Sequence, residues 1–139
     1  MRAARDERFA EFLERMRAAT DQFYRGNAGP YLEICSHRED VTRFGGWGGV
    51  EHGWAELSRR FETTTAHFAG GTVAFEPLEI YATDDLACVV GFERGEVRLV
   101  DRDEPERLAS RVTHVYRREE DGWKLVHRHA DPLVTTQRE

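Results

Sequence analysis

The chain has 139 residues, a formal net charge of −6, and ordinary globular proportions of 40% hydrophobic and 33% charged residues. That length suits one domain with a core of its own, expected over 1–139. Arginines interleaved with acids exclude the dense basic patch that nucleic acid requires, and no apolar run approaches the roughly 18 residues of a membrane span.

Met1 to Arg8 is charged with no apolar stretch behind it, unlike a secretory signal, so the expected location is cytoplasmic. Phe9, Phe12, Leu13, Met16, Phe23 and Tyr24 then recur at three- and four-residue steps. They predict a helix with one apolar face, ended by Gly26. Pro30 suits the first turn of a short second helix with Tyr31, Leu32, Ile34 and Cys35 on its apolar side. A polar turn over His37–Asp40 leads into Val41–Phe44, which alternates like a short strand. Gly45–Gly49 is a flexible loop around one large aromatic, Trp47. A third helix is predicted from about Glu51 to Phe68, with Trp54, Leu57, Phe61 and Phe68 on its buried stripe and Gly70-Gly71 as its stop.

Four strands follow: Thr72–Tyr81, Leu86–Val100, Leu108–Arg118 and Trp123–Asp131. Short polar turns between them indicate an antiparallel meander. Helices first and strands afterwards is an α+β order. The expected architecture is a curved antiparallel sheet closed by three N-terminal helices into a cone with a polar-lined pocket. Cys35 and Cys88 lack C-x-x-C spacing and read as free buried thiols.

The last hairpin allows two registers. A three-residue Glu120-Asp121-Gly122 loop pairs Glu119 with Trp123, and further out sets Arg111, Thr113 and Val115 opposite Asp131, His129 and His127. A two-residue Asp121-Gly122 turn instead sets His129 opposite His114 and His127 opposite Tyr116. The first is favoured because it pairs an arginine with an aspartate. In both, His127, His129 and Asp131 share one face of the strand.

The terminal pattern Val112-Thr113-His114-Val115-Tyr116-Arg117-Arg118, then Gly122-Trp123-Lys124-Leu125-Val126-His127-Arg128-His129, resembles the nuclear-transport-factor-2-like superfamily. Within it the chain looks most like the SnoaL-like or DUF4440-type proteins, also called cystatin-like in fold. It is also similar to the association domain of calcium/calmodulin-dependent kinase. The resemblance spans about Asp6 to Leu133. It implies a cone-shaped cavity and a homodimer formed through the sheet. Members include ketosteroid isomerases, cyclases, dehydratases, hydrolases and non-catalytic oligomerisation modules, so fold does not settle function. The isomerase pattern needs an aspartate after the first short strand, where this chain has Phe44-Gly45-Gly46-Trp47, and a late-strand acid, where Arg111 or Thr113 stands. Classical steroid isomerisation is therefore not expected. The association domain's cavity arginine aligns with Glu93, and Arg111 falls where that domain has an acid.

The candidate catalytic set is His127, His129, Asp131, Arg111 and Tyr24, with Trp47, Trp54, Glu93 and Thr113 as ligand-binding candidates. Either histidine could move a proton, Asp131 could orient it, and Tyr24 and Arg111 could stabilise negative charge. Arg111, if buried, needs Asp131, Glu93 or an anionic ligand as its partner. His127-x-His129-x-Asp131 also has metal-ligand chemistry, but the resemblance favours a polar network, with no metal and no cofactor expected. Two functions remain open. One is a cofactor-independent isomerase, dehydratase, cyclase or hydrolase acting on a small organic molecule. The other is a non-catalytic ligand-binding or dimerisation module. Neither has a nucleic-acid or membrane partner.

Overall fold

In α1, Phe9–Tyr24, the predicted apolar stripe is buried: Phe12, Leu13, Met16, Phe23 and Tyr24 all face the interior, and Phe9 packs partly against them. The computed structural model describes residues 7–134, so the charged segment 1–6 lies outside the described residues. Gly26 ends the helix region at φ +93°, where a side chain would also meet the Phe68 carbonyl at 2.8 Å. Helix α2, Gly29–Ile34, carries proline in its first turn and buries Tyr31 and Ile34.

Strand β1, Thr42–Phe44, and strand β2, Val50–His52, form a hairpin around the glycine loop. The predicted third helix is shorter than expected, because Val50–His52 is spent on β2. Helix α3 spans Trp54–Thr65 and buries Leu57 and Phe61. Phe68 belongs to the next strand. Strands β3 (Phe68–Ala82), β4 (Leu86–Leu99), β5 (Glu106–Glu119) and β6 (Gly122–Pro132) make the predicted antiparallel meander. Gly70-Gly71 lies inside β3. A Cβ on Gly71 would fall 2.3 Å from the Glu96 carbonyl, so the close approach of the paired β3 and β4 backbones here requires glycine.

The sheet order is β2-β1-β6-β5-β4-β3, and β1 runs parallel to β6. The sheet is therefore mixed and unclosed: the expected antiparallel meander forms its four long strands, and the parallel β1–β6 contact extends it beyond them. Irregular register in β3, between Phe68 and Gly70 and between Pro77 and Glu79, accompanies the bending of its long strands. The three helices cover one face. Tyr116, Trp123, Phe12, Phe61, Met16 and Leu57 are the largest side chains sealed between the layers. Cys35 is buried as expected, whereas Cys88 is only half-buried.

The tip of the β5–β6 hairpin differs from both sequence registers. Glu119 pairs with Gly122 across a two-residue Glu120-Asp121 loop, and Tyr116 pairs with Leu125. A bulge then absorbs Val126, and beyond it Val115, Thr113 and Arg111 pair with His127, His129 and Asp131. The favoured pairing thus holds for the outer half of the hairpin.

Candidate functional site

The bulge decides which side chains enter the hollow. Trp123 and Leu125 point at the helices and are buried. Strict alternation would send His127 and His129 the same way, but the extra residue inverts the parity, so Arg128 and Ala130 are buried instead. The expectation that His127, His129 and Asp131 look into the cone is corrected: they lie on the face turned away from the helices, with Arg111 and Thr113 opposite. There, Arg111 is exposed and forms a bidentate pair with Asp131 at 2.8 and 2.6 Å. Thr42 Oγ1 and His127 Nδ1 share a hydrogen bond of 2.8 Å, and Phe44 packs edge-on to both imidazoles. Burial and the neighbouring His129 lower the His127 pKa. Among the described residues no group of three or more His, Cys, Asp or Glu is placed to hold a metal.

The inner face holds a different set. A cavity of about 260 Å³ opens between the helices and the sheet, lined by Phe23, Phe61, Phe68, Leu99 and Leu108 on its apolar walls. Tyr24, Tyr31, Arg43, Glu93 and Arg128 supply its polar lining, and Trp47 stands at its side, largely exposed. Tyr24 comes from α1, Tyr31 from α2, Arg43 from β1, Glu93 from β4 and Arg128 from β6. The parallel pairing of β1 with β6 sets Arg43 directly beside Arg128. Trp54 does not reach this cavity; it stacks on His37 at 3.7 Å.

Glu93 and Arg128 form a buried bidentate pair, Nη1 to Oε2 at 2.6 Å and Nη2 to Oε1 at 2.9 Å. The Tyr24 hydroxyl donates to Glu93 Oε1 at 2.9 Å. Arg128 Nη1 also approaches His114 Nε2 at 3.0 Å. A guanidinium has only donors, so Nε2 accepts and the ring proton sits on Nδ1, which donates to Tyr116 Oη at 2.6 Å. Burial, reinforced by the Arg128 charge, pushes His114 down to about 3 and keeps it neutral. Burial alone would raise the Glu93 carboxyl, but Arg128 and the Tyr24 hydrogen bond outweigh it and hold the group below the usual range. Burial and the Glu93 charge push the Tyr24 phenol well up, so it keeps its proton.

Two lining groups are not absorbed in this network. Tyr31 Oη and Arg43 Nε are buried and have no hydrogen-bond partner among the described residues. Such groups are rare and costly in a finished interior. Arg43 is otherwise held by one bond, Nη1 to Glu51 Oε1 at 2.6 Å, and its guanidinium lies over the Phe61 ring.

Of the predicted site residues, the structure brings Tyr24, Glu93 and Trp47 to the cavity, and it separates His127, His129, Asp131, Arg111, Thr113 and Trp54 from it. Sequence reasoning missed Tyr31, Arg43, His114 and Arg128. Arg43 had a signal, since it alternates with the apolar Val41 on a predicted strand, and Val41 is buried. Arg128 had none, because the bulge that turns it inward leaves no mark such as glycine at Val126.

Among the described residues no helix is long and apolar enough to cross a membrane. Comparison with curated proteins gives no match. Solved structures share the fold at low identity. A nuclear-transport-factor-2-like superfamily protein from Salmonella enterica serovar Typhimurium superposes with a TM-score of 0.79 at 17% identity, over 94% of this chain and 92% of that one. A candidate dehydratase of the same family from Streptomyces avermitilis gives 0.69 at 22% identity, over 85% and 91%. The calcium/calmodulin-dependent kinase II hub homology domain of Chlamydomonas reinhardtii gives 0.68 at 20% identity, over 91% and 98%. The model of the SnoaL-like domain matches residues 13–135, and the chain belongs to that family.

Proposed function

We propose that this chain is a small-molecule-binding protein whose ligand, a compact and mainly apolar organic molecule, sits in the cone cavity. The observation that carries the reading is an aromatic-walled space of about 260 Å³ whose lining includes Tyr31 and Arg43, each with a buried donor that has no partner among the described residues. Apolar walls with a few convergent polar groups are what ligand pockets are made of. Acid–base catalysis through His127 or His129 loses its support, since both lie on the other face. Glu93 is a weak base where it stands, held by Arg128 and Tyr24. Any chemistry at this site therefore rests on donors that polarise an oxygen, which are Tyr31 and Arg43. Native mass spectrometry of protein purified without added ligand, followed by unfolding in the presence of bicyclic aromatic probes, tests the reading. A bound small molecule or a saturable rise in Tm supports it. No carried-over mass and no Tm response to any probe would refute it.

A homodimer through the outer sheet face is the second element of this reading. One observation favours it: Phe44, His127 and His129 form a ring cluster on that face, with Phe44 41% exposed. A hub homology domain among the structural neighbours is consistent with assembly of this kind. Sedimentation of the purified chain distinguishes dimer from monomer.

A further inference from the structure

The charge balance around the cavity identifies the kind of ligand. Its lining carries two acids, and both are already neutralised: Glu93 by the bidentate Arg128, and Glu106 by Arg102. Arg43 is different. Its partner Glu51 also faces Arg60, Nε to Oε2 at 3.3 Å, so one buried carboxylate serves two guanidinium groups. Arg107, also on the lining, is exposed, so solvent screens its charge. Arg43 is therefore a buried cation whose one carboxylate is shared, and such a cation favours an anion over a neutral dipole.

Hydrogen bonding points the same way. The unsatisfied groups, Tyr31 Oη–H and Arg43 Nε–H, can both donate. Burial raises the Tyr31 phenol above its ordinary value, so it stays protonated and remains a donor. Tyr31 packs edge-on against Phe61 at 4.9 Å, and the Arg43 guanidinium lies 5.2 Å from the centre of the same ring. Both residues thus pack against one aromatic wall, the Phe61 ring.

Deepening the binding reading above and resting on it, we propose that the cavity takes a monocarboxylate on a compact apolar body, its carboxylate received by Tyr31 and Arg43 and its body lying among Phe23, Phe61 and Phe68. Glu93 and Arg128 act as a pre-neutralised floor and do not contact the carboxylate charge directly.

The test is calorimetric titration of two probes of nearly equal shape, 1-naphthoate and 1-naphthamide, into the wild-type protein, Tyr31→Phe, and the charge-paired double variant Arg43→Gln/Glu51→Gln. The double variant removes both partners, so neither is left as a lone buried charge. Naphthoate should bind wild type about tenfold more tightly than naphthamide. Each variant should lose most of that preference, with naphthoate binding weakened more than naphthamide binding, because the amide carbonyl loses only a neutral hydrogen bond. Equal affinity of wild type for both probes would overturn the carboxylate assignment and leave the pocket reading standing. Failure of both probes to bind would remove the pocket reading and this inference with it. If the double variant does not fold, Tyr31→Phe decides alone, because it deletes one oxygen that no group among the described residues holds. Unchanged naphthoate preference in Tyr31→Phe overturns the proposal.

Discussion

Tyr31→Phe separates a ligand-directed hydroxyl from a structural one by the sign of its effect on stability. A buried hydroxyl that bonds the protein normally costs about 1 kcal/mol or more when deleted. Tyr31 Oη has no partner among the described residues, and its ring is packed by Phe23 and Phe61, contacts that phenylalanine would keep. Deletion therefore removes an uncompensated desolvation cost, and the variant should be as stable as wild type or up to about 1 kcal/mol more stable. Tyr24→Phe is the control. Its hydroxyl donates to the buried Glu93 carboxylate at 2.9 Å, a bond to a charged acceptor, so its loss should cost about 1.5–3 kcal/mol. Urea unfolding at pH 7 measures both. The Tyr24→Phe midpoint should fall while the Tyr31→Phe midpoint holds or rises, with the slope unchanged in each. A loss of about 1 kcal/mol or more in Tyr31→Phe would mean that the hydroxyl already has a partner, and the free-donor reasoning would collapse.

Glu93→Gln should destabilise the protein by about 3–5 kcal/mol in the same urea assay, because it leaves the Arg128 charge buried and unpaired, while Glu93→Leu/Arg128→Met should recover much of that loss. Stability should also fall on acidification below about pH 6.5, where the unfolded imidazole of His114 takes up a proton that the folded one, held at about 3, refuses. The unfolded state then binds the extra proton, giving a slope of about 1.4 kcal/mol per pH unit for this group, and His114→Gln should remove that share of the slope. His127 shifts in the same direction and adds to the total, and Glu93, also depressed, contributes stability that is lost at lower pH as its folded value is approached. On the outer face, Phe44→Glu should shift sedimentation from dimer to monomer without changing probe binding in the cavity; a wild-type protein that is already monomeric would refute the sheet-face dimer.

Much of the fold was legible because its signals are periodic. The three- and four-residue spacing of Phe12, Met16 and Phe23, and the long strands cut by polar turns, each report an element facing one core. Short elements were not legible. Val50–His52 is a three-residue strand, too brief to show alternation, so it merged with the following helix. The parallel contact of β1 with β6 joins residues about 85 positions apart (Thr42 and His127), and no local pattern encodes such a pairing. Part of the site was legible: Tyr24 sits on the apolar face of α1, Trp47 stands out among the loop glycines, and Glu93 follows from the resemblance to the kinase association domain.

The candidate site depends on one surplus residue. Trp123 is held inward by the aromatic cluster of Phe9, Phe12 and Tyr116, and Leu125 is buried on the same face. A regular strand leaving that cluster would deliver His127 and His129 to the hollow and turn Arg128 out to the opposite face. Glu93 would then stand buried without a cation, an arrangement whose cost exceeds that of a local kink. The bulge at Val126 avoids this by exchanging the two faces of the strand from that point on. It brings Arg128 to Glu93, aligns Arg111 with Asp131, and places Arg43, through the parallel β1 contact, at the cavity wall. The same insertion therefore creates the charged interior and displaces the histidines to the surface. The His-x-His pattern, conspicuous in the sequence, is in this fold a marker of the outer face, and the arginine between the two imidazoles is the residue that looks inward.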